Sequence, residues 1–369
     1  MIKKMKKGIA LVAVLAMTAG CFAGCGTEID STEIVATEDG TEIPMGVAAM
    51  YTRYQQASMY YMYGTYYGMT EIFDSIADAE TYDTYGEVMK DSIFESLTDM
   101  YILRNHADEY GVALTEEETA AAAEAAQAFI EANGEEVLKA IGTSEETLTE
   151  LFELYKYQSK MQDAMVADVD QEVSDEEAKQ SRLTYVRFAL TDTDEDGNTV
   201  ELTEEQMEAQ NDRAEAVLAL MLEQEDIAGA DMEAVAQEVH EDLTAVSYTY
   251  DDESTYIDSE ILAAVEGLKD GEMVDKVVMS SDGTELYVVR FDADLDRDAT
   301  DTEKENIIGQ REQEDYQAEL DTWTEAAEIK VNDKVWDKIS LNDSQVFTFA
   351  EEEVEEETTE ETATEEVAE

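Results

Sequence analysis

Imidazole and thiol are scarce in this chain: His106, His240, Cys21 and Cys25 are all that its 369 residues contain. No serine or cysteine nucleophile has a plausible base, so most hydrolase triads are excluded. No cysteine–histidine cluster has metal-ligand spacing, and no glycine loop has the pattern that cradles a nucleotide. His106 falls on a long apolar-periodic segment with no companion ligand and reads as a surface histidine. Asp192, Asp194, Asp196 and Gly197 begin like a calcium loop. That pattern needs a bidentate glutamate at its twelfth position, where Thr203 stands, with Glu204 one residue late. The segment before it also reads as a strand where the motif has a helix. A solvated hairpin-like loop is the plainer reading. What chemistry remains is hydrogen bonding and apolar contact.

The elements that must position such contacts fall into two halves. The first is helical. A helix is predicted from about 84 to Tyr110, with Met89, Ile93, Met100, Leu103, Ala107 and Tyr110 at three- and four-residue steps and Gly111 as its stop. Thr115 with Glu118 forms a capping box for the next helix, which Asn133-Gly134 breaks. Thr143 with Glu146 caps another, carrying Leu148, Leu151, Tyr155 and Met161, and Ser174 with Glu177 opens a short one. The run of tyrosines and methionines from Met50 to Met69 fits either a helical core or an adaptable binding surface, and is too dense to be buried entirely.

The second half changes period. Leu183–Leu190 reads as a strand, then an acidic loop, then a helix capped by Thr203 with Gln206. A helix over 231–239, an extended segment over 243–250 and a helix over 257–268 follow. Segments 274–279 and 286–291 read as a closing hairpin. A last helix from about Thr302 to Ala327 leads to Ile329-Lys330-Val331 and a turn around Trp336.

The ends bound the compartment. Lys3, Lys4, Lys6 and Lys7 precede an apolar run from Ile9 to Met17, a secretory signal too short to be a stable span. Cys21 and Cys25 each follow small residues, which resembles the lipobox of bacterial lipoproteins, although neither has the usual leucine three residues before it. Cys25 is the favoured acylation site because Gly26-Thr27-Glu28 begins a polar tether; Cys21 is the alternative, and a secreted protein with unmodified thiols is the plainer one. No cysteine follows position 25, so the fold must hold by core burial rather than by disulfides. Residues 351–369 carry eleven glutamates and nothing basic, a composition that predicts disorder.

Charge narrows the partners. The chain has 23 basic and 92 acidic residues, a net −69. Losing the four signal lysines leaves 19 basic against 92 acidic residues, or −73. Such a surface repels nucleic acid and anionic headgroups and attracts cationic segments and divalent ions, and adaptation to a salty or calcium-rich exterior is its plainer reading. An apolar fraction of 44% is still ample for real cores. The single proline, Pro44, suits long helices.

In order and spacing the chain resembles the SurA/PrsA foldases. The resemblance rests on "DSIFESLTDMYILRNHADEYGVALTEEE" (91–118), "IGTSEETLTELFELYKYQSKM" and "VSDEEAKQ" in the helical half. In the second half it rests on "DEDGNTVELTEEQ", "IDSEILAAVEGLKDGEMVDKVV" (257–278) and "ELYVVRF". It implies an α+β fold: a helical SurA-like chaperone domain with an inserted parvulin-like α/β domain. The implied boundaries are 1–24 signal peptide, 25–41 flexible tether, 42–181 helical domain and 182–295 parvulin-like domain. Residues 296–345 are a C-terminal helix returning to the helical domain, and 346–369 a disordered acidic tail.

Parvulins carry a histidine on the first strand and another on the last. Here Arg187 and Tyr287 stand at those positions, and neither His106 nor His240 matches. Asp251, in "AVSYTYDDEST", is the candidate for the central acidic residue, and Ile257 and Ile261 match apolar substrate-binding positions. Two readings stay open. Tyr287 and Arg187 form a rebuilt isomerase site by hydrogen-bonding and clamping the substrate, or both are strand residues of a binding domain. The expected activity is that of a membrane-anchored folding helper for unfolded or nascent exported polypeptides, on the extracytoplasmic face of a bacterial membrane, read as Gram-positive. No cofactor and no nucleic acid are implied. A scaffold lipoprotein with a fixed partner or calcium is the alternative.

Overall fold

The computed structural model describes residues 17–19, 29–77, 80–81, 83–194, 196–344 and 346–349. Cys21, Cys25 and the glutamate run from 351 lie outside the described residues. In chain order the elements are β1 Met17–Ala19, β2 Ile34–Glu38, β3 Thr41–Pro44, α1 Met45–Tyr60 with a π-helical turn Tyr61–Thr65, and α2 Tyr85–Asn105. A 3₁₀ turn Ala107–Tyr110 precedes α3 Glu116–Ile141 and α4 Glu145–Met165. Next come β4 Ser181–Ala189, β5 Thr191–Thr193, β6 Thr199–Glu201, α5 Glu204–Leu222, α6 Met232–Val239, β7 Ala245–Tyr250 and α7 Ser259–Val265. The chain closes with β8 Glu272–Met273, β9 Val278–Met279, β10 Glu285–Ala293, α8 Arg297–Ala326, β11 Ile329–Val331, α9 Asp333–Trp336 and β12 Phe347–Phe349. The fold class is α+β. Two compact units form, one from residues up to 168 together with those from 314 onward, the other from 169–313.

The helical unit is built on α1. Its first turns are buried throughout, from Met45 to Arg53, among Leu97, Met100 and Tyr101 of α2 and Leu148, Leu151 and Leu154 of α4. Gly46 makes the α1–α4 approach possible, because a Cβ there would lie 2.5 Å from Thr147 Oγ1. The caps follow local rules: Thr84 with Glu87 and Thr115 with Glu118 both form complete capping boxes. The box for α4 sits one residue later than the sequence suggests. Ser144 is the N-cap, with its N–H donating to Thr147 Oγ1 at 2.9 Å, while Thr143 bonds the same hydroxyl. Gly134 interrupts α3 with φ 75°, a left-handed backbone value, yet the helix resumes to Ile141. α2 ends at Asn105 rather than Tyr110, and Gly111 at φ 64° closes the 3₁₀ turn.

Two expectations at the ends are corrected. Residues 34–44 overlap the supposed tether but form β2 and β3, which with β11 make a three-stranded sheet in the order β11-β2-β3. Val35 and Ala36 are buried there, so apolar burial and long-range pairing order this polar-looking segment. At the other end, β12 falls inside the supposed disordered tail, yet Phe347 is fully buried against α1. β12 pairs antiparallel with β1, a strand within the segment read as the signal.

The second unit is a sheet in the order β7-β4-β10-β8, with β9 also on β10. α5 and α6 cover one face through Val186, Phe188, Val217, Met221, Ala236 and Val288. α7 and the segment after it cover part of the other, through Leu183, Ile261, Val265, Val289 and Phe291. The unit reaches beyond the 182–295 read from sequence: Lys179 pairs with Asp294 and Arg182 with Asp296, and further ion pairs join the two flanks to one another. Asp175 pairs with Arg297 and Lys304, and Glu177 with Arg311. The Ser174–Glu177 contact caps only a turn, not a helix. α8 begins five residues before Thr302, where the Asp296 carboxylate accepts the N–H of Ala299 at 3.0 Å. The acidic loop is the hairpin β5–β6, with Asp194 accepting N–H bonds from Asp196 and Asn198. Among the described residues no group of three or more acidic, histidine or cysteine side chains is arranged to hold a metal ion. None of the described helices is long and apolar enough to cross a membrane.

Candidate functional site

Strand register decides which of the sequence-derived residues meet. β4 and β10 run antiparallel, with Arg187 opposite Tyr287, Tyr185 opposite Val289 and Leu183 opposite Phe291. Side chains alternate between faces along a strand, so these six share one face. β7 extends it, placing Val246 opposite Tyr185 and Tyr248 opposite Leu183. Ile257 and Ile261 sit under this face, buried with Leu183, Val278 and Tyr287. They form its floor rather than an open pocket wall.

What the face presents is tyrosine. Tyr185 stacks on Tyr248 with centroids 5.5 Å apart and planes 17° from parallel. Its other edge meets Tyr287 at 5.0 Å and 71°. Tyr248 continues to Tyr256 at 6.2 Å. The row grades outward, from Tyr287 at 6% exposed through Tyr248 at 36% to Tyr256 at 62%, with Val246 also exposed beside it. Offset and edge-on ring contacts of this kind stabilise by about 0.5–1.5 kcal/mol each beyond burial.

The polar groups of the face are already engaged with one another. Arg187 Nη1 donates to Glu285 Oε1 at 2.8 Å, and the Tyr287 hydroxyl donates to Glu285 Oε2. Burial, then the hydrogen bond to Glu285, pushes the Tyr287 phenol upward. Burial and the Tyr248 hydrogen bond push Tyr185 up to about 12. Both rings are therefore neutral hydroxyls at ordinary pH, hydrogen-bond donors and not phenolates.

Asp251 is not part of this arrangement. It follows Tyr250, which pairs with Ser181, six residues along β4 from Arg187. At strand rise that separation is about 20 Å. Its carboxylate instead closes a turn, accepting from Ser254 Oγ at 2.7 Å and from the Glu253 N–H at 3.0 Å. Those bonds, Ser254 foremost, hold its carboxyl below the usual range.

Sequence reasoning missed Tyr185, Tyr248, Tyr256 and Glu285. A signal was present: Tyr185 with Arg187, and Glu285 with Tyr287, are spaced by two on strands and so share a face. The surface-histidine reading of His106 is also revised. Its ring stacks on Trp323 with centroids 4.3 Å apart and planes 7° from parallel, and Nδ1 lies 2.7 Å from Glu109 Oε1. The tyrosine and methionine run is divided: Met50 and Tyr51 are core, whereas Tyr61, Met62, Tyr66, Tyr67 and Met69 are exposed.

No family model matches the chain, and no curated protein matches it. Among solved structures it is similar to the foldase PrsA of Lactococcus lactis, at 13% identity and a TM-score of 0.32, over 83% of this chain and 97% of that one. It is similar to PrsA of Streptococcus pneumoniae at 18% identity and a TM-score of 0.27, over 66% and 87%. A SurA-like chaperone structure from Campylobacter jejuni matches at 12% identity and a TM-score of 0.28, over 81% and 99%. These three structures are of foldases and SurA-like chaperones.

Proposed function

We propose that this chain is an extracytoplasmic folding helper, tethered to the outer face of a membrane through acylated Cys25 or Cys21, that holds unfolded exported polypeptides. The observation that carries the reading is the graded tyrosine row, Tyr287–Tyr185–Tyr248–Tyr256, open to solvent at one end. Tyrosine offers wide, rigid, amphipathic contact at low entropic cost, which suits broad recognition of extended chain segments. Its neighbours Arg187, Glu285 and Tyr287 satisfy one another, so the face binds without a spare acid, base or nucleophile. Holding is ATP-independent in this reading, since the sequence carries no nucleotide motif.

The cross-strand placement of Arg187 and Tyr287, at the positions of the parvulin histidines, favours a second reading: prolyl isomerisation. An X–Pro bond must cross roughly 18–20 kcal/mol with no covalent chemistry, and a site lowers this by matching the twisted imide in a dry pocket. A substrate carbonyl would have to take Arg187 or Tyr287 from Glu285.

One experiment separates the readings. The full chain and a Tyr248→Ser, Tyr256→Ser variant are compared for suppressing aggregation of two unrelated unfolded proteins and for accelerating isomerisation of a short X–Pro peptide. Protection of both clients, weakened in the variant, is expected. Protection of neither, with saturable binding of one native partner, would replace the folding helper by a scaffold. Acceleration that Arg187→Ala with Tyr287→Phe abolishes would establish the isomerase.

A further inference from the structure

The tyrosine row runs to the margin of its sheet, and that margin has backbone chemistry of its own. β7 ends the order β7-β4-β10-β8 and pairs, among the described strands, only with β4. In an antiparallel pair, successive residues aim their N–H and carbonyl alternately at the partner and away from it. Two hydrogen bonds fix which residues of β7 face away. The Ala245 N–H donates to Glu233 Oε2 at 3.2 Å, and the Thr249 carbonyl accepts from the Tyr256 hydroxyl. Ala245 and Thr249 therefore face outward, and so does Ser247 between them. Among the described residues no group bonds the N–H or carbonyl of Ser247, or the N–H of Thr249.

Sheet edges left bare invite pairing, and proteins blunt them with lysine, proline, bulges or inward charge. β7 has none of these. Its six residues, Ala-Val-Ser-Tyr-Thr-Tyr, carry no charge and no proline, and its register on β4 runs without a bulge. Val246, Ser247 and Tyr248 are exposed. Outward N–H and carbonyl groups at strand spacing match an extended backbone, whereas a helix has spent its own groups internally. The Tyr256 hydroxyl already stands where an incoming N–H would bond the Thr249 carbonyl. Charge disfavours a second copy of this chain. Two β7 strands paired antiparallel would bring Glu233, at the Ala245 end of one, against Asp252 and Glu253, beyond the Tyr250 end of the other.

We propose that β7 is a docking edge at which extended, β-prone segments of unfolded polypeptides add as a further strand. The segment's backbone continues the sheet through Ser247 and Thr249. Its apolar or aromatic residues, at every second position, lie against Tyr248 and Tyr256, and the exposed Tyr256 ring yields the Thr249 carbonyl to it. The proposal rests on the folding-helper reading and names the class of segment that reading leaves open. Backbone bonding supplies affinity without regard to sequence, and the tyrosines add the preference for alternating apolar side chains. Segments that stay helical gain only ring contacts, and acidic ones are held off by the carboxylates at both ends of the edge.

The test uses the full chain and fluorescence anisotropy with three labelled peptides of alternating valine and threonine. One is unmodified, one is N-methylated on every threonine, and one on every valine. All are uncharged along their length, so the chain's net charge does not sort them. With valines on the tyrosine face, methylated threonines block an antiparallel addition and methylated valines a parallel one. One methylated peptide should therefore lose about tenfold or more, while the other stays within about threefold of the unmodified one. Ser247→Pro removes an outward N–H that β4 does not use, and should cost about tenfold for the unmodified peptide. If that variant fails to fold, the methylated pair on the wild type still decides. Equal loss or no loss in both methylated peptides overturns the proposal, and so does unchanged binding by a folded Ser247→Pro chain. A wild-type dimer in sedimentation that Ser247→Pro dissolves overturns it as well. If Ser247→Pro binds peptide and protects unfolded clients as the wild type does, the docking edge falls and the folding-helper reading stands. If only one methylated peptide loses affinity but no unfolded client is protected, the reading falls and the docking edge stands.

Discussion

Arg187 and Tyr287 stand opposite one another on β4 and β10, and both side chains end on the same carboxylate, Glu285. The relationship is not symmetric in its energetics. Arg187 is more than half exposed, and its ion pair with Glu285 is the kind that solvent screens to little. Tyr287 is buried, with its ring against Tyr185 and its body in the cluster around Ile261 and Val289.

That asymmetry sets the right probes for the face. Arg187→Ala and Tyr287→Phe should each change the unfolding free energy by less than about 1 kcal/mol. Tyr287→Ala should cost about 3–4 kcal/mol, because it opens a cavity between the sheet and α7. Urea unfolding followed by circular dichroism measures all three. If Tyr287→Phe proves as costly as Tyr287→Ala, the hydroxyl rather than the ring holds the strand, and this account of the face fails.

Asp251 provides a separate check, since its carboxylate closes its own turn about 20 Å along the sheet from Arg187. Asp251→Ala should leave peptide binding and any isomerase activity unchanged while lowering stability by about 1 kcal/mol through the lost turn bonds. Loss of activity with unchanged stability would return Asp251 to the site.

The contrast between these residues shows what the sequence carried. Capping is local, so Thr115 with Glu118 and Thr203 with Gln206 were legible and are observed. Even there, Ser144 competes with its neighbour Thr143, and the backbone chose the serine. The strand positions of Arg187 and Tyr287 were legible because period and spacing mark them. The exclusion of Asp251 was not, because it depends on the register of β7 against β4, which no local pattern encodes. Residues 34–44 failed for the same reason. Their order comes from pairing with β11, almost three hundred residues away, and the segment's own composition is that of a linker. β12 ends two residues before a glutamate run, and only its packing on α1 reveals it.

Glu118 gives a pH dependence with a defined sign. The hydrogen bond from Lys160 at 2.7 Å, assisted by the Thr115 N–H, lowers its pKa from 4.5 to about 2. A carboxyl depressed in the folded state adds stability above its unfolded pKa and loses it as pH falls through the folded one. Glu118→Gln can keep the capping bond and remove only the charge. The variant should be less stable by about 1 kcal/mol at neutral pH. The difference should shrink below pH 4.5 and vanish near 2. The difference is the quantity to follow, because protonating other carboxylates relieves the chain's self-repulsion over the same range. A gap between the two unfolding curves that stays constant down to pH 2 would remove the Lys160 interaction as its cause.

Phe347 tests whether the fold extends to the edge of the glutamate run. Its ring is fully buried, with the Arg53 guanidinium 4.9 Å from its centroid, and its N–H donates to Gln56 Oε1 at 3.4 Å. Burial lowers the Arg53 pKa to about 10, which still leaves the group charged at neutral pH, so Phe347 covers a cation inside the helical unit. Phe347→Ala should therefore cost about 3–5 kcal/mol, as cavity creation and exposure of the Arg53 site act together. Ending the chain at residue 350 should change stability by no more than about 0.5 kcal/mol, since residues 351–369 are mostly glutamate and threonine, a composition with little apolar surface to bury. Thermal unfolding of the two variants side by side decides the matter. If Phe347→Ala is as mild as the truncation, β12 behaves as part of the tail and does not cover Arg53.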